Sequence, residues 1–360
     1  LNMNRNEIVS LVGHYQLENN EELSFQRFGS GLIHQTFLIE VNQKKYILQG
    51  FNSNVFTYPN RINDNLTFLS QSGELRLLPF ELPLPIINRE GSGMVDFQGG
   101  LYRLFDFVKG ETLQQITDPD QATVAAEAYA IFSKWASRFP ISQFIETIPN
   151  FHRLDLRFDR LEQVAKSARN LSAAEIRVLS FYMGQKPLVE AYLKTIQAIP
   201  QRLTHNDTKI NNLIFSPDLR KVRAVIDLDT IMPGYLLYDF GDLVRTVASG
   251  EEEISQNWGN QKLLVPIFEK LLAGYWAGAG NWMTQAEAKS LLIGGEVMTC
   301  LMGIRFFTDH LEGNVYYQVA YEEQNFHRAN NQMIFLQSLQ SHRANLQSIF
   351  SKITEIPIES

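Results

Sequence analysis

The segment His205-Asn206-Asp207-Thr208-Lys209-Ile210-Asn211-Asn212 constrains this chain more than any other. It reads H-x-D-x-K-x-x-N. A polar loop capping a helix would account for its composition, but the order of its residue types says more. Phosphoryl transfer needs an Asp to take the acceptor's proton, a Lys over the moving phosphate and an Asn on a metal ion. Downstream, Val225-Ile226-Asp227-Leu228-Asp229 is a short apolar strand ending in carboxylates, the place for a second magnesium ligand. Together they point to an ATP-dependent kinase of small molecules.

Each residue has a chemical reason to be there. Asp207 can align an alcohol and accept its proton late, as a general base or at least an orienting group. Lys209 can neutralise charge on the transferred phosphoryl group. Asn212 offers magnesium a neutral oxygen. His205 suits bracing the loop by hydrogen bonds and stands also among the substrate-side candidates. Asp227 follows the apolar Ala224-Val225-Ile226, so its strand is expected to be buried and its charge to need a cation. Asp229 points to the same side if the strand continues. It could bind a second magnesium, touch substrate or be structural. Asp239-Phe240-Gly241 spells a familiar kinase metal triplet but lacks an apolar strand leading into it. It reads as a helix start, with its acids capping N–H groups or holding the loop.

Bulk properties narrow the class. Hydrophobic content of 44% and charged content of 20% are those of a soluble globular protein. A formal net charge of −7 argues against nucleic acid as a partner. Cys300 is the single cysteine, which excludes an intramolecular disulfide and cysteine-rich zinc sites. The most apolar stretches, 263–279 and 291–307, are interrupted by charges, so no membrane span is expected. No signal-peptide pattern is seen and a cytoplasmic location is expected, with the native start at Met3 or ahead of Leu1. The oligomeric state is not legible.

Along the chain, residues 23–25, 36–41, 45–49, 84–87 and 101–108 read as strands of an antiparallel sheet, with a short helix over 62–70. Apolar residues then recur at helical spacing, with helices expected near 124–139, 156–168, 186–199, 262–275, 285–307 and 321–349. The expected class is α+β. A small sheet-rich nucleotide-binding lobe over 1–108 meets a larger, mainly helical catalytic and substrate lobe over 109–360. Gly29 and Gly31, in Phe28-Gly29-Ser30-Gly31, form a candidate phosphate-covering turn, although an ordinary hairpin would look the same. His34 beyond it could reach the γ-phosphate or the acceptor. Arg305 interrupts an apolar helix, with Tyr317 following. Both are substrate candidates, an ion pair of Arg305 with Asp309 or Glu296 being the plain alternative.

The loop 205–212 with Ile226-Asp227-Leu228-Asp229 resembles the aminoglycoside phosphotransferase and choline kinase superfamily. The longer string 204–209, 225–234 and 238–242 is closer still to the N-acetylhexosamine 1-kinases. The resemblance implies a protein-kinase-like bilobal fold and transfer of the ATP γ-phosphate, with Mg2+, to the anomeric hydroxyl of a sugar such as GlcNAc or GalNAc. It implies the base at Asp207 and metal contacts at Asn212 and Asp227. One departure stands out. The strand lysine that such proteins place on the nucleotide phosphates falls near Gln49, with Lys45 two positions away on the same face and Asp64 as the acidic partner. Kinases of other small alcohols (choline, an aminoglycoside) and a nucleotide-binding pseudokinase remain the alternatives.

Overall fold

A computed structural model of the protein describes residues 3–17, 23–28, 35–51 and 57–358. The turn residues Gly29 and Gly31, and His34, lie outside the described residues. The chain divides into two compact units. One comprises Leu1–Glu111, Ser142–Pro149 and Leu213–Met232; the other comprises Thr112–Ile141, Asn150–Asn212 and Pro233–Ser360.

The first unit is built on a five-stranded antiparallel sheet: β1 (Leu23–Arg27), β2 (Gln35–Val41), β3 (Lys44–Gly50), β4 (Val95–Phe97) and β5 (Gly100–Asp106), in the order β1-β2-β3-β5-β4. Alternation decides its faces. Phe37, Ile39 and Val41 of β2, Tyr46 and Leu48 of β3 and Leu104 of β5 turn inward onto Ile8, Leu11 and Val12 of α1 (Arg5–Val12). Strands β2 and β3 join through Asn42 and Gln43, at φ 50° and 66°. Positive φ at both positions matches the twist of a two-residue hairpin. Helix α2 (Pro59–Gln71) starts on a proline, the residue best tolerated in a first turn.

Residues 84–87 form no strand. Pro83 and Pro85 remove two backbone donors, and among the backbone bonds here Ile86 N–H reaches the Leu104 carbonyl at 2.7 Å. The hairpin β6 (Leu213–Phe215) and β7 (Val222–Val225) belongs with the sheet unit because backbone bonds tie it there. Phe215 exchanges N–H···O bonds with Glu111, and Glu81 bonds to Arg223 and Val225. A single cut at 108 therefore does not describe how the chain is partitioned.

The second unit is helical: α3 (Pro119–Ala136), α4 (Leu154–Ser167), α5 (Ala173–Met183), α6 (Lys186–Ala198), α7 (Leu236–Val247), α8 (Val265–Ala279), α9 (Gln285–Leu311), α10 (Gln324–Ser341) and α11 (Arg343–Thr354). Helix α9 is long and apolar enough to cross a membrane, yet most of it is buried, packed against α4, α7 and α10. Glycines let α7 and α9 approach: a Cβ on Gly241 would lie 2.2 Å from the Gly294 carbonyl oxygen. The expected helix over 321–349 is two helices, broken at His342.

Candidate functional site

The loop 205–212 is held from several sides within the helical unit. Asp239, on α7, accepts the backbone N–H of His205 at 3.0 Å and of Asn206 at 2.8 Å. The Asp239 carbonyl accepts the Thr208 hydroxyl at 2.6 Å. Tyr129 donates its hydroxyl to the Lys209 carbonyl at 2.8 Å. His152 Nε2 lies 2.9 Å from the Asn206 carbonyl, which makes it the protonated ring nitrogen. Pro233-Gly234 passes so close that a Cβ on Gly234 would meet Thr204 Oγ1 at 2.3 Å. Asn206 sits at φ 64°, a conformation open to asparagine more than to most residues. So Asp239 holds the loop, as expected of a helix acid here.

His205 is fully buried, its ring edge-on to Tyr129 and Phe132, and its Nδ1 accepts the Asp207 N–H at 3.3 Å. It braces the loop, the role its hydrogen-bonding chemistry suggested, and its ring is closed off from solvent.

What the loop presents is Asp207. Lys209 Nζ lies 2.9 Å from its Oδ1, and Asn212 Nδ2 donates to its Oδ2 at 3.0 Å and to its carbonyl at 2.9 Å. Burial works to raise the Asp207 carboxyl, but the charge and hydrogen bond of Lys209, with His205 and Asn212, hold it below the usual carboxylate range. The same pairing raises the Lys209 ammonium. Asp207 is thus an ionised carboxylate, still partly accessible, with a cation beside it. Asp239 is the opposite case: burial pushes its carboxyl up to about 6. His152 is fully buried and its imidazole is driven down to about 3, so it is neutral.

In the sheet unit, β7 ends at Val225 and the chain turns. Ala224 and Val225 are fully buried, as expected, and Asp227 emerges exposed at φ 60°, ψ 57°. Residues Leu228–Thr230 then form a 3-10 turn, so the strand does not continue to Asp229. Asp229 is only 2% exposed and is gripped by Arg103, the structural role among its three alternatives. Lys45 is half exposed at 4.0 Å from Glu40, and Asp64 faces solvent on α2. The buried residue of that helix turn is Asn65. Magnesium wants hard oxygen ligands, few of them from protein. The Asn212 side-chain oxygen and the Asp227 carboxylate have that chemistry, and among the described residues no cluster of three His, Cys, Asp or Glu suggests a different metal.

Arg305 and Tyr317 line one cavity of about 240 Å3, with Arg157, Thr308 and Tyr316. The Arg305 guanidinium lies over the rings of Phe151, Tyr316 and Tyr317 at 5.2–5.5 Å. Neither anticipated ion pair forms. Glu296 takes Arg343, and Asp309 accepts the N–H groups of Tyr316 and Tyr317. The Tyr317 hydroxyl is buried without a hydrogen-bond partner, and burial pushes it up to about 12. Phe151, under Arg305, has its ring tilted against that of His152, which in turn holds the 205–212 loop.

Residues 24–284 match the family described as the phosphotransferase enzyme family. The chain belongs to that family. Solved structures share its fold at low identity. A microcompartment-associated aminopropanol kinase superposes with a TM-score of 0.66 at 17% identity, covering 95% of this chain and 98% of that one. A spectinomycin phosphotransferase in complex with ADP and spectinomycin gives 0.61 at 11%, covering 96% and 99%. A choline kinase from Cryptosporidium parvum gives 0.58 at 14%, covering 96% and 98%. The family makes this chain a phosphotransferase, and the solved structures show its fold.

Arg103, Asn65, His152 and Arg157 were not singled out from the sequence. Arg103, a charge within the apolar strand Leu101–Val108, carried a usable signal; the other three emerge only from three-dimensional contacts.

Proposed function

We propose that this kinase transfers the γ-phosphate of ATP to the anomeric hydroxyl of an N-acetylhexosamine, GlcNAc or GalNAc. The observation that carries the chemistry is the Asp207 carboxylate, kept ionised by Lys209 at 2.9 Å on a loop pinned by Asp239. Asp207 aligns the sugar hydroxyl and takes its proton as the new O–P bond forms and the bond to ADP breaks. Lys209 neutralises charge on the phosphoryl group in flight. Asn212 and Asp227 would hold magnesium, which offsets phosphate charge when bound.

The choice of a neutral, polyhydroxylated acceptor rests on the cavity at Arg305. Its rings offer an apolar wall for a sugar face, and its guanidinium and the Tyr317 hydroxyl offer hydrogen bonds. Its volume falls below the roughly 300–1,000 Å3 of drug-sized pockets, in scale with a monosaccharide. Arg157 also faces it, its guanidinium pulled down first by burial and then by the charge of Arg305. Three arginines, Arg157, Arg160 and Arg305, against two carboxylates, Asp309 and Glu312, leave the lining net positive, which disfavours a cationic acceptor such as an amino alcohol. A cytoplasmic location fits a substrate pair of ATP and free sugar. The test is ADP release across GlcNAc, GalNAc, other hexoses, choline and aminoglycosides. Preference for an N-acetylhexosamine supports the reading, and preference for choline or an aminoglycoside contradicts it.

A further inference from the structure

Gln49 and Arg103 are cross-strand partners on β3 and β5. The Gln49 side-chain oxygen accepts from Arg103 Nε at 2.9 Å and from Nη2 at 2.7 Å. The same guanidinium closes a two-bond fork on Asp229, Nη1 to Oδ1 and Nη2 to Oδ2, both at 2.6 Å. Arg103 and Asp229 are each 2% exposed, and Phe51 and Phe105 flank the guanidinium. One buried positive charge therefore meets one buried negative charge in bidentate geometry, and the Gln49 amide satisfies donors left over.

This explains why position 49 is not lysine. An ammonium there would lie against the Arg103 guanidinium with a single buried carboxylate to share, and like charges in a low-dielectric interior repel strongly. Glutamine accepts two N–H bonds and adds no charge.

Asp229 lies in the turn that follows Asp227. Beyond that turn, Asn65 Nδ2 donates to the Ile231 carbonyl at 3.0 Å, and Asn65 also exchanges bonds with the backbone of Ile145. The turn is fixed at Asp229 and again at Ile231. Between β7 and these anchors Asp227 is kept left-handed, a conformation that is costly for a non-glycine residue and persists where the surroundings impose it.

We propose that Arg103 is a positioning residue. By clamping Asp229, with Gln49 bracing the same guanidinium, it fixes the turn that presents Asp227. The inference rests on the reading of Asp227 as a magnesium ligand and is independent of which alcohol is phosphorylated.

Calorimetric titration of ADP, in Mg2+ and in EDTA, tests it. The charge-neutral double variant Arg103→Gln/Asp229→Asn is expected to bind ADP in EDTA as the wild type does, with a Tm within a few degrees. Its Mg2+-dependent gain in affinity should shrink about tenfold or more. Gln49→Lys is expected to weaken MgADP binding. A double variant that keeps the full Mg2+-dependent gain overturns the role of Arg103, and so does a Gln49→Lys variant that binds MgADP as tightly as the wild type or more tightly. The second variant decides the matter if the first does not fold. The wild type is titrated first: if Mg2+ adds nothing there, it is the Asp227 metal reading that fails.

Discussion

The Lys209 ammonium stands 2.9 Å from the Asp207 carboxylate, on the loop the sequence marks as catalytic. The pair sets both protonation states at once, a lowered carboxyl and a raised ammonium, and on the proposed chemistry the first takes the acceptor's proton and the second meets the phosphoryl group. Asn212 fixes the other carboxylate oxygen at 3.0 Å, so the acid cannot swing away. Asp207→Asn preserves shape and removes the base. Turnover at saturating substrate should fall about a hundredfold or more, the scale of general-base loss, with ADP affinity and Tm near wild type. Near-normal turnover in steady-state kinetics would remove Asp207 from the mechanism.

Asp239 acts through structure. Its buried carboxylate accepts two backbone N–H groups of the loop. Asp239→Ala leaves both donors unpaired in the interior, each costing about 1–3 kcal/mol, so stability should drop by at least about 2 kcal/mol. Asp227→Ala should instead leave thermal stability close to wild type and abolish Mg2+-dependent turnover. Thermal melts and activity on the two variants separate these outcomes. An Asp239→Ala protein of normal stability that failed to bind MgADP would show that the metal aspartate had been misidentified.

His152 ties the loop to acid. Its imidazole is depressed to about 3, by burial first, against an ordinary value of 6.5. The folded state favours the neutral ring, so this group's contribution is complete above about 6.5. It is lost as pH falls through about 6.5 toward about 3, where the folded ring also takes a proton. The linked stability amounts to about 5 kcal/mol. His152→Gln, whose amide can still donate to Asn206, should flatten the fall in stability between pH 6.5 and 4 in denaturant titrations. An unchanged slope would assign the acid sensitivity to other groups.

Legibility in the sequence followed how local each feature is. The H-x-D-x-K-x-x-N order was readable because its chemistry fits within eight residues, and Asp239 was readable as a loop-holding helix acid because no apolar strand leads into it. The sheet face was readable because Phe37, Ile39 and Val41 alternate. The direction of Asp229 was not legible because the two-residue period holds only while a strand lasts, and here the strand ends at Val225 and Asp227 turns left-handed. Asn65 was not legible because one residue is about 100° of helix: it points inward where its neighbour Asp64 faces solvent. Arg103 and Gln49 are far apart in sequence, and their pairing is set by the register of β3 on β5, which no local pattern prints.

The position of the new phosphate tests the central claim most directly. A methyl glycoside of GlcNAc or GalNAc keeps every hydroxyl except the proposed nucleophile. Incubated with the protein, ATP and Mg2+, the free sugar should give a sugar 1-phosphate by mass spectrometry and phosphorus NMR. The methyl glycoside should inhibit competitively and remain unphosphorylated. Phosphate on the methyl glycoside would place the reaction at another hydroxyl and contradict the assignment.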